Sequence, residues 1–134
     1  MTGWLTKLFK PLMKEVPPAK TPLGERGENV AAKFLRHDCG YRILTRNFRI
    51  EGGEVDVIAR DGDTLVFVEV KTRRGLAYGH PFEAITPDKV RRLRTLAGLW
   101  LSATGHRGPI RMDAVGVIAP RSGAWRVEHL RGIE

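Results

Sequence analysis

The sequence predicts an α/β domain, a sheet with helices packed on it, and three observations carry that reading. Two alternating runs, Glu54 to Ala59 and Thr64 to Lys71, flank Asp61-Gly62. Alternation around Asp-Gly is the strongest short-range hairpin signal. The second run is apolar on both faces, with Leu65 and Phe67 on one and Val66, Val68 and Val70 on the other, so it reads as a central strand covered from both sides. Two further stretches, around 24–37 and 86–103, place apolar residues at helical spacing and supply the covers.

Taken in order, residues 1–20 differ from the rest. Trp4, Leu5, Leu8, Phe9, Leu12 and Met13 fall at helical spacing, with Lys7, Lys10 and Lys14 between them, and Pro11 and Pro17-Pro18 interrupt. Lysines break the apolar stretch, so it is no signal peptide. It reads as a basic, partly ordered N-terminal tail, contact with a membrane surface or a partner being the other use of such a segment. Residues 21–134 read as one domain.

Thr21 to Leu23 lead into a helix expected over Gly24 to His37, with Val30, Ala31, Phe34 and Leu35 as its apolar stripe. Glu28 lies between Ala31, Ala32 and Leu35 on the inward side, an unusual place for an acid, where it serves the helix dipole or points at the hairpin. Gly40 ends the helix, and Cys39 is a small residue near its cap. Tyr41 to Ile50 is a strand carrying Arg46, Asn47 and Arg49, joined to the hairpin through Glu51-Gly52-Gly53. Gly75 to Phe82 is a loop that leaves the Lys71 end of the central strand, with Tyr78 and His80 on it.

Thr86-Pro87-Asp88 opens the second helix with an N-cap threonine, proline at the first position and an aspartate beside the dipole. Its stripe is Val90, Leu93, Ala97, Trp100 and Leu101, with Lys89 at the margin. Thr104 to Pro109 ends it, Ile110 to Ile118 is a strand carrying Asp113, and Trp125 to Leu130 is a last strand.

The chemistry gathers at one end of the hairpin. A turn centred on Asp61-Gly62 sets Asp56 against Phe67 and makes Glu69 its diagonal neighbour; a shift of two residues sets the acids directly opposite. Two carboxylates a few ångströms apart suit Mg²⁺ or Mn²⁺, which favour hard oxygen ligands. The Lys71 ammonium beside them can position a water or neutralise charge on a phosphate. The plain alternative is a buried Glu69–Lys71 ion pair with Asp56 closing a turn.

Lysine and arginine outnumber aspartate and glutamate by 23 to 15, a net charge of +8. That favours a polyanionic partner, nucleic acid before acidic lipid. A single cysteine, Cys39, excludes an internal disulfide and fits a reducing, cytoplasmic setting. No CxxC or zinc-type His spacing is present, no Walker-type loop, no repeat, and no apolar run near the roughly 20 residues that span a bilayer.

Gly27-Glu28, Ala31, Gly40-Tyr41, Arg46-Asn47, Gly53-Glu54-Val55-Asp56, Phe67-Val68-Glu69-Val70-Lys71-Thr72-Arg73, Gly79-His80-Pro81 and Lys89 together resemble the bacterial YraN-type family of endonuclease-like proteins. The resemblance covers about Leu23 to Ile118, with Met112-Asp113 where the family tends to have Phe-Asp. That family is similar to the PD-(D/E)XK nucleases and the Holliday-junction resolvases. The resemblance implies a restriction-endonuclease-like mixed sheet flanked by helices, and a metal-dependent endonuclease acting on DNA, ahead of RNA, with branched or flapped structures among its substrates. It implies Asp56, Glu69 and the Val70 carbonyl as ligands of Mg²⁺ or Mn²⁺, Lys71 as the residue that orients the water, and Glu28 as the acid completing the site. Glu54 would support the ligands from behind. Arg46, Arg73, Arg74 and Lys89 are the expected phosphate contacts, and a homodimer is the assembly such enzymes tend to form. A non-catalytic nucleic-acid-binding module on the same scaffold is the competing expectation.

Overall fold

The computed structural model describes residues 20–50 and 52–134. Its elements are α1 (Pro22–His37), β1 (Arg42–Ile50), β2 (Gly53–Asp61), β3 (Thr64–Arg73), a 3₁₀ turn (Pro81–Ala84), α2 (Pro87–Thr104), β4 (Ile110–Ile118) and β5 (Arg126–Arg131). The strands form one five-stranded sheet in the order β1-β2-β3-β4-β5. It is mixed: only β3 and β4 are parallel, and they are the pair joined through α2, the long crossover that parallel neighbours require. Apart from Lys20, the expected tail lies outside the described residues.

Both helices start on a Thr-Pro pair. The Thr21 hydroxyl accepts from Gly24 N (3.0 Å) and Pro22 opens α1, so the helix begins two residues earlier than its apolar periodicity suggests. The Thr86 hydroxyl accepts from Lys89 N (3.2 Å) ahead of α2, which ends at Gly105 with φ 66°. α1 packs Ala31 and Leu35 on Val57, Ala59, Val66, Val68 and Val70. α2 packs Leu93, Leu96, Ala97 and Trp100 on Ile58, Leu65, Phe67 and Met112. β3 thus alternates between two cores, as a doubly covered central strand should.

The hairpin frame differs from the expectation by one turn position. Asp61 pairs with Thr64, so the central turn residues are Gly62 and Asp63, not Asp61 and Gly62. Gly62 takes φ 60° at the first central position, the place where a mirror-image hairpin turn favours glycine. Ile58 then meets Phe67 and Val57 meets Val68. Continuing that frame brings Glu69 opposite Asp56 rather than diagonal to it.

Asp113 on β4 is fully buried, and its direction is now plain. It accepts from Arg111 Nε (2.8 Å), His129 Nε2 (2.8 Å) and Gly132 N (3.2 Å). Arg111 also reaches Tyr41 Oη (2.6 Å) and Asp61 Oδ2 (3.1 Å). Tyr41 lies just beyond the C-terminal end of α1, whereas Glu28 lies in its first half, so Asp113 belongs to the other end of that helix. Among the described residues no helix is long and apolar enough to cross a membrane.

Burial pushes the Asp113 carboxyl up, but the hydrogen bonds from His129, Arg111 and Gly132 outweigh it and hold the group down at about 2. A depressed carboxyl stabilises the fold fully above its unfolded pKa near 3.9 and loses that contribution as pH falls towards the folded value; the shift corresponds to about 2 kcal/mol. Asp113→Asn is therefore expected to cost about 2 kcal/mol at pH 7 and much less at pH 2. Urea midpoints of both proteins at pH 7, 4 and 2 test this; an equal loss at all three would contradict it.

Candidate functional site

The first half of α1 sits unusually close to β3. A Cβ built on Gly27 would lie 1.8 Å from Thr72 Oγ1, so only glycine permits this approach. The next residue, Glu28, is thereby carried down to the sheet and is 6% exposed.

On the sheet, Asp56 stands where both ladders falter. The β2–β3 pairing ends at Val57↔Val68, and the N–H of Val70 donates to Asp56 Oδ2 (2.8 Å). On the other side, between the pairs Arg46↔Val57 and Phe48↔Val55, stands Asn47, at φ 56° the one described non-glycine residue with a left-handed backbone. Asparagine tolerates that conformation better than most residues. Glu54, one residue along from Val55, is held by Arg49 Nε (3.0 Å).

Glu28, Glu54 and Asp56 each offer a carboxylate oxygen, and these oxygens all lie within 4.8 Å of one another. Carboxylate oxygens are hard donors, so the cluster could hold a metal ion. A cation already lies among them: Lys20 Nζ pairs with Glu28, Glu54 and Asp56, the last at 2.9 Å. The ammonium marks where positive charge is stabilised, and the donor set therefore fits a divalent cation.

The electrostatics agree. Burial raises Glu28 and Asp56 above the usual carboxylate range even though Lys20 pulls both down. Glu69 is pushed up to about 8, by burial first and by Asp56 second, against the pull of Lys89, Lys20 and Lys71. Lys71 is lowered, by burial and then by Lys89 and Arg73 beside it. For Lys20 the same burial works against the charge, but Asp56, Glu28 and Glu54 overcome it and raise the group. The site is acid-rich, and burial is the first cause of each raised carboxyl.

Glu28, Asp56, Glu69 and Lys71, the residues expected from sequence, thus fall in one electrostatic neighbourhood. Glu54, expected only behind the ligands, stands among the clustered oxygens, while Glu69 lines a small cleft with Glu54, Lys89 and Arg92. Of the expected phosphate contacts, Arg46 donates to Asn29 Oδ1 (2.8 Å) and lines a cleft of about 340 Å³ with Lys20, Asn47 and Arg49. Arg74 is exposed; Arg73 is half-buried, and its Nε finds no partner among the described residues. The residue missed from sequence is Lys20. Its signal was the Thr21-Pro22 helix start, which fixes Lys20 immediately outside the cap.

A model of the Uncharacterised protein family UPF0102 matches residues 27–117. A UPF0102 protein of Renibacterium salmoninarum is 55% identical over 115 residues, covering 85% of this chain and 97% of that protein. One from Beutenbergia cavernae is 52% identical over 116 residues (86% and 98%), and one from Streptomyces griseus 48% identical over 117 (86% and 98%).

Gly27→Ala is expected to push α1 off β3 and cost about 1–3 kcal/mol, as overpacking does. Adding Thr72→Ala removes the oxygen that the new methyl would meet and should restore part of the loss. Urea midpoints of the two single variants and the double variant check the coupling; strict additivity would show that the contact is not what demands glycine.

Proposed function

The chain belongs to the UPF0102 family, and from that membership and the geometry above we propose that it is a metal-dependent endonuclease on a PD-(D/E)XK scaffold, cleaving phosphodiester bonds in DNA. The observation that carries this reading is the convergence of Glu28, Glu54 and Asp56 on one cation position, next to Glu69 and Lys71 of β3. Residues 21–134 form the nuclease-like domain, with Lys20 at its border.

In this reading Glu28, Glu54 and Asp56 would hold Mg²⁺ or Mn²⁺, with Glu69 and the Val70 carbonyl at the same end of β3. The ion supplies Lewis-acid charge at the scissile phosphate and makes a nearby water more acidic. Asp56 is fixed by the Val70 N–H, so its position owes nothing to the ion. Lys71, half-buried and lowered, would orient the attacking water and, as the neutral amine, accept the proton that this water loses. Arg46, Arg73, Arg74 and Lys89 hold phosphates on either side, so affinity falls with salt.

The test is cleavage of labelled single-stranded, duplex, flap and four-way-junction DNA and of RNA, with Mg²⁺, Mn²⁺ or EDTA. Metal-dependent cutting is expected, reduced about 10²–10⁴-fold in Lys71→Ala and abolished in Asp56→Asn. Cutting that survives EDTA or both substitutions would sink the mechanism. Salt-sensitive binding with no cutting would instead favour the non-catalytic binding module.

A further inference from the structure

Lys20 precedes the helix cap Thr21, and its ammonium is paired with all three clustered carboxylates. We infer that Lys20 is a built-in competitor for the cation site: its ammonium occupies the centre of Glu28, Glu54 and Asp56 in the metal-free protein and must leave before a divalent cation binds. The inference rests on the metal-centre reading above and adds a regulation to it.

Three features fit a displaceable occupant better than a fixed structural partner. First, the ammonium offers one positive charge to three carboxylates, leaving two negative charges if all are ionised, whereas a dication leaves one. In a buried acid cluster the ion with the larger charge is favoured. Second, Lys20 can move without unravelling α1. The helix start is tied by Thr21, whose hydroxyl takes Gly24 N and whose carbonyl takes Glu25 N (3.0 Å). Among the described residues Lys20 contributes no backbone hydrogen bond to it. Third, there is a place to go. Lys20 lines the cleft of about 340 Å³ that also holds Glu25, an exposed acid on the same helix. A released ammonium can turn outward to Glu25 while its backbone stays near the cap.

The contact with Asp113 on the same face offers the contrast. There the cation is a guanidinium on the neighbouring residue but one, with two nitrogens on the carboxylate, and nothing frees it. A lysine is a compact charge on a flexible stem, suited to leaving.

Mn²⁺ titrated calorimetrically into the full-length protein, Lys20→Met and Lys20→Arg tests the inference without any appeal to activity. If the ammonium holds the site about nine-tenths of the time, Lys20→Met binds about tenfold tighter than wild type. Lys20→Arg keeps the charge in a fork that holds carboxylates harder, so it binds Mn²⁺ no tighter than wild type. Thermal unfolding gives a second readout. Without metal, Lys20→Met melts lower than wild type, because the acids lose their cation; with saturating Mn²⁺ the order is equal or reversed. Equal or weaker Mn²⁺ binding by Lys20→Met, or a lower melting point at every Mn²⁺ concentration, overturns the competitor and leaves Lys20 a structural ion pair. Absence of Mn²⁺ binding in all three proteins overturns the metal centre itself.

Discussion

Mutual repulsion among buried carboxylates is the constraint that the rest of this molecule answers. Two unit charges 4.8 Å apart repel by about 3 kcal/mol at an effective dielectric near 20. Three such pairs approach the whole 5–15 kcal/mol by which a domain is usually stable. An arrangement this costly persists only with positive charge inside it. Burial first, and then the neighbouring acids, raise Asp56, Glu28 and Glu69, and an ammonium stands at their centre. The glycine at 27 lets α1 approach β3 and carries Glu28 to this point, beside the left-handed Asn47 and the end of the β2–β3 ladder.

The sheet carries a second buried acid that makes the comparison internal. Asp113 and Asp56 are both buried, yet the carboxyl of Asp113 is lowered to about 2 while that of Asp56 is raised. The difference is in the partners. Asp113 has an arginine, a histidine and a backbone N–H fixed in place by β4, β5 and the chain just beyond it. Asp56 has one backbone N–H, one long flexible lysine, and two acids pressed against it. A buried acid whose partners are complete holds the fold together. One left short of charge is poised to take a further cation, and that distinction separates the two ends of α1.

Much of the fold was legible in the sequence because its signals are local. Alternation around Gly62, the two-faced apolar run of β3 and the Thr86-Pro87 start depend on near neighbours, and all recur in the structure. The five-stranded order and the parallel β3–β4 pair come from the structure, since local signals name strands but not their neighbours. The turn frame was less legible, because Asp61-Gly62-Asp63 allows two frames. The structure chooses the frame that pairs Asp61 with Thr64, and its ladder stops at Val57↔Val68, one step short of Asp56. Lys20 was legible only as the residue outside the Thr21-Pro22 cap, not as a partner of the acids. It meets Asp56 across 36 positions of sequence, and a lysine beside a proline-rich segment looks like any solvated charge. Glu54 shares the alternation of Asp56, but its entry into the cluster depends on how α1 sits on the sheet, which the pattern does not encode.

The acid cluster also sets the terms on which a polyanion could approach. The chain as a whole carries +8, with Arg46, Arg49 and Lys89 around the acids and Arg73 and Arg74 at the end of β3. Within the roughly 8–10 Å of a Debye length such a surface attracts phosphate, and salt weakens the attraction. At contact the sign reverses, since a phosphate meeting three clustered carboxylates is repelled unless their charge is offset. On the proposed reading the two scales divide the work. The arginines and lysines gather the strand, and the occupant of the carboxylate centre decides whether a phosphate can settle there. With all three acids ionised a lone ammonium leaves two negative charges at that centre and a divalent cation leaves one, so the residues that draw in a nucleic acid work against the greater repulsion until the occupant changes.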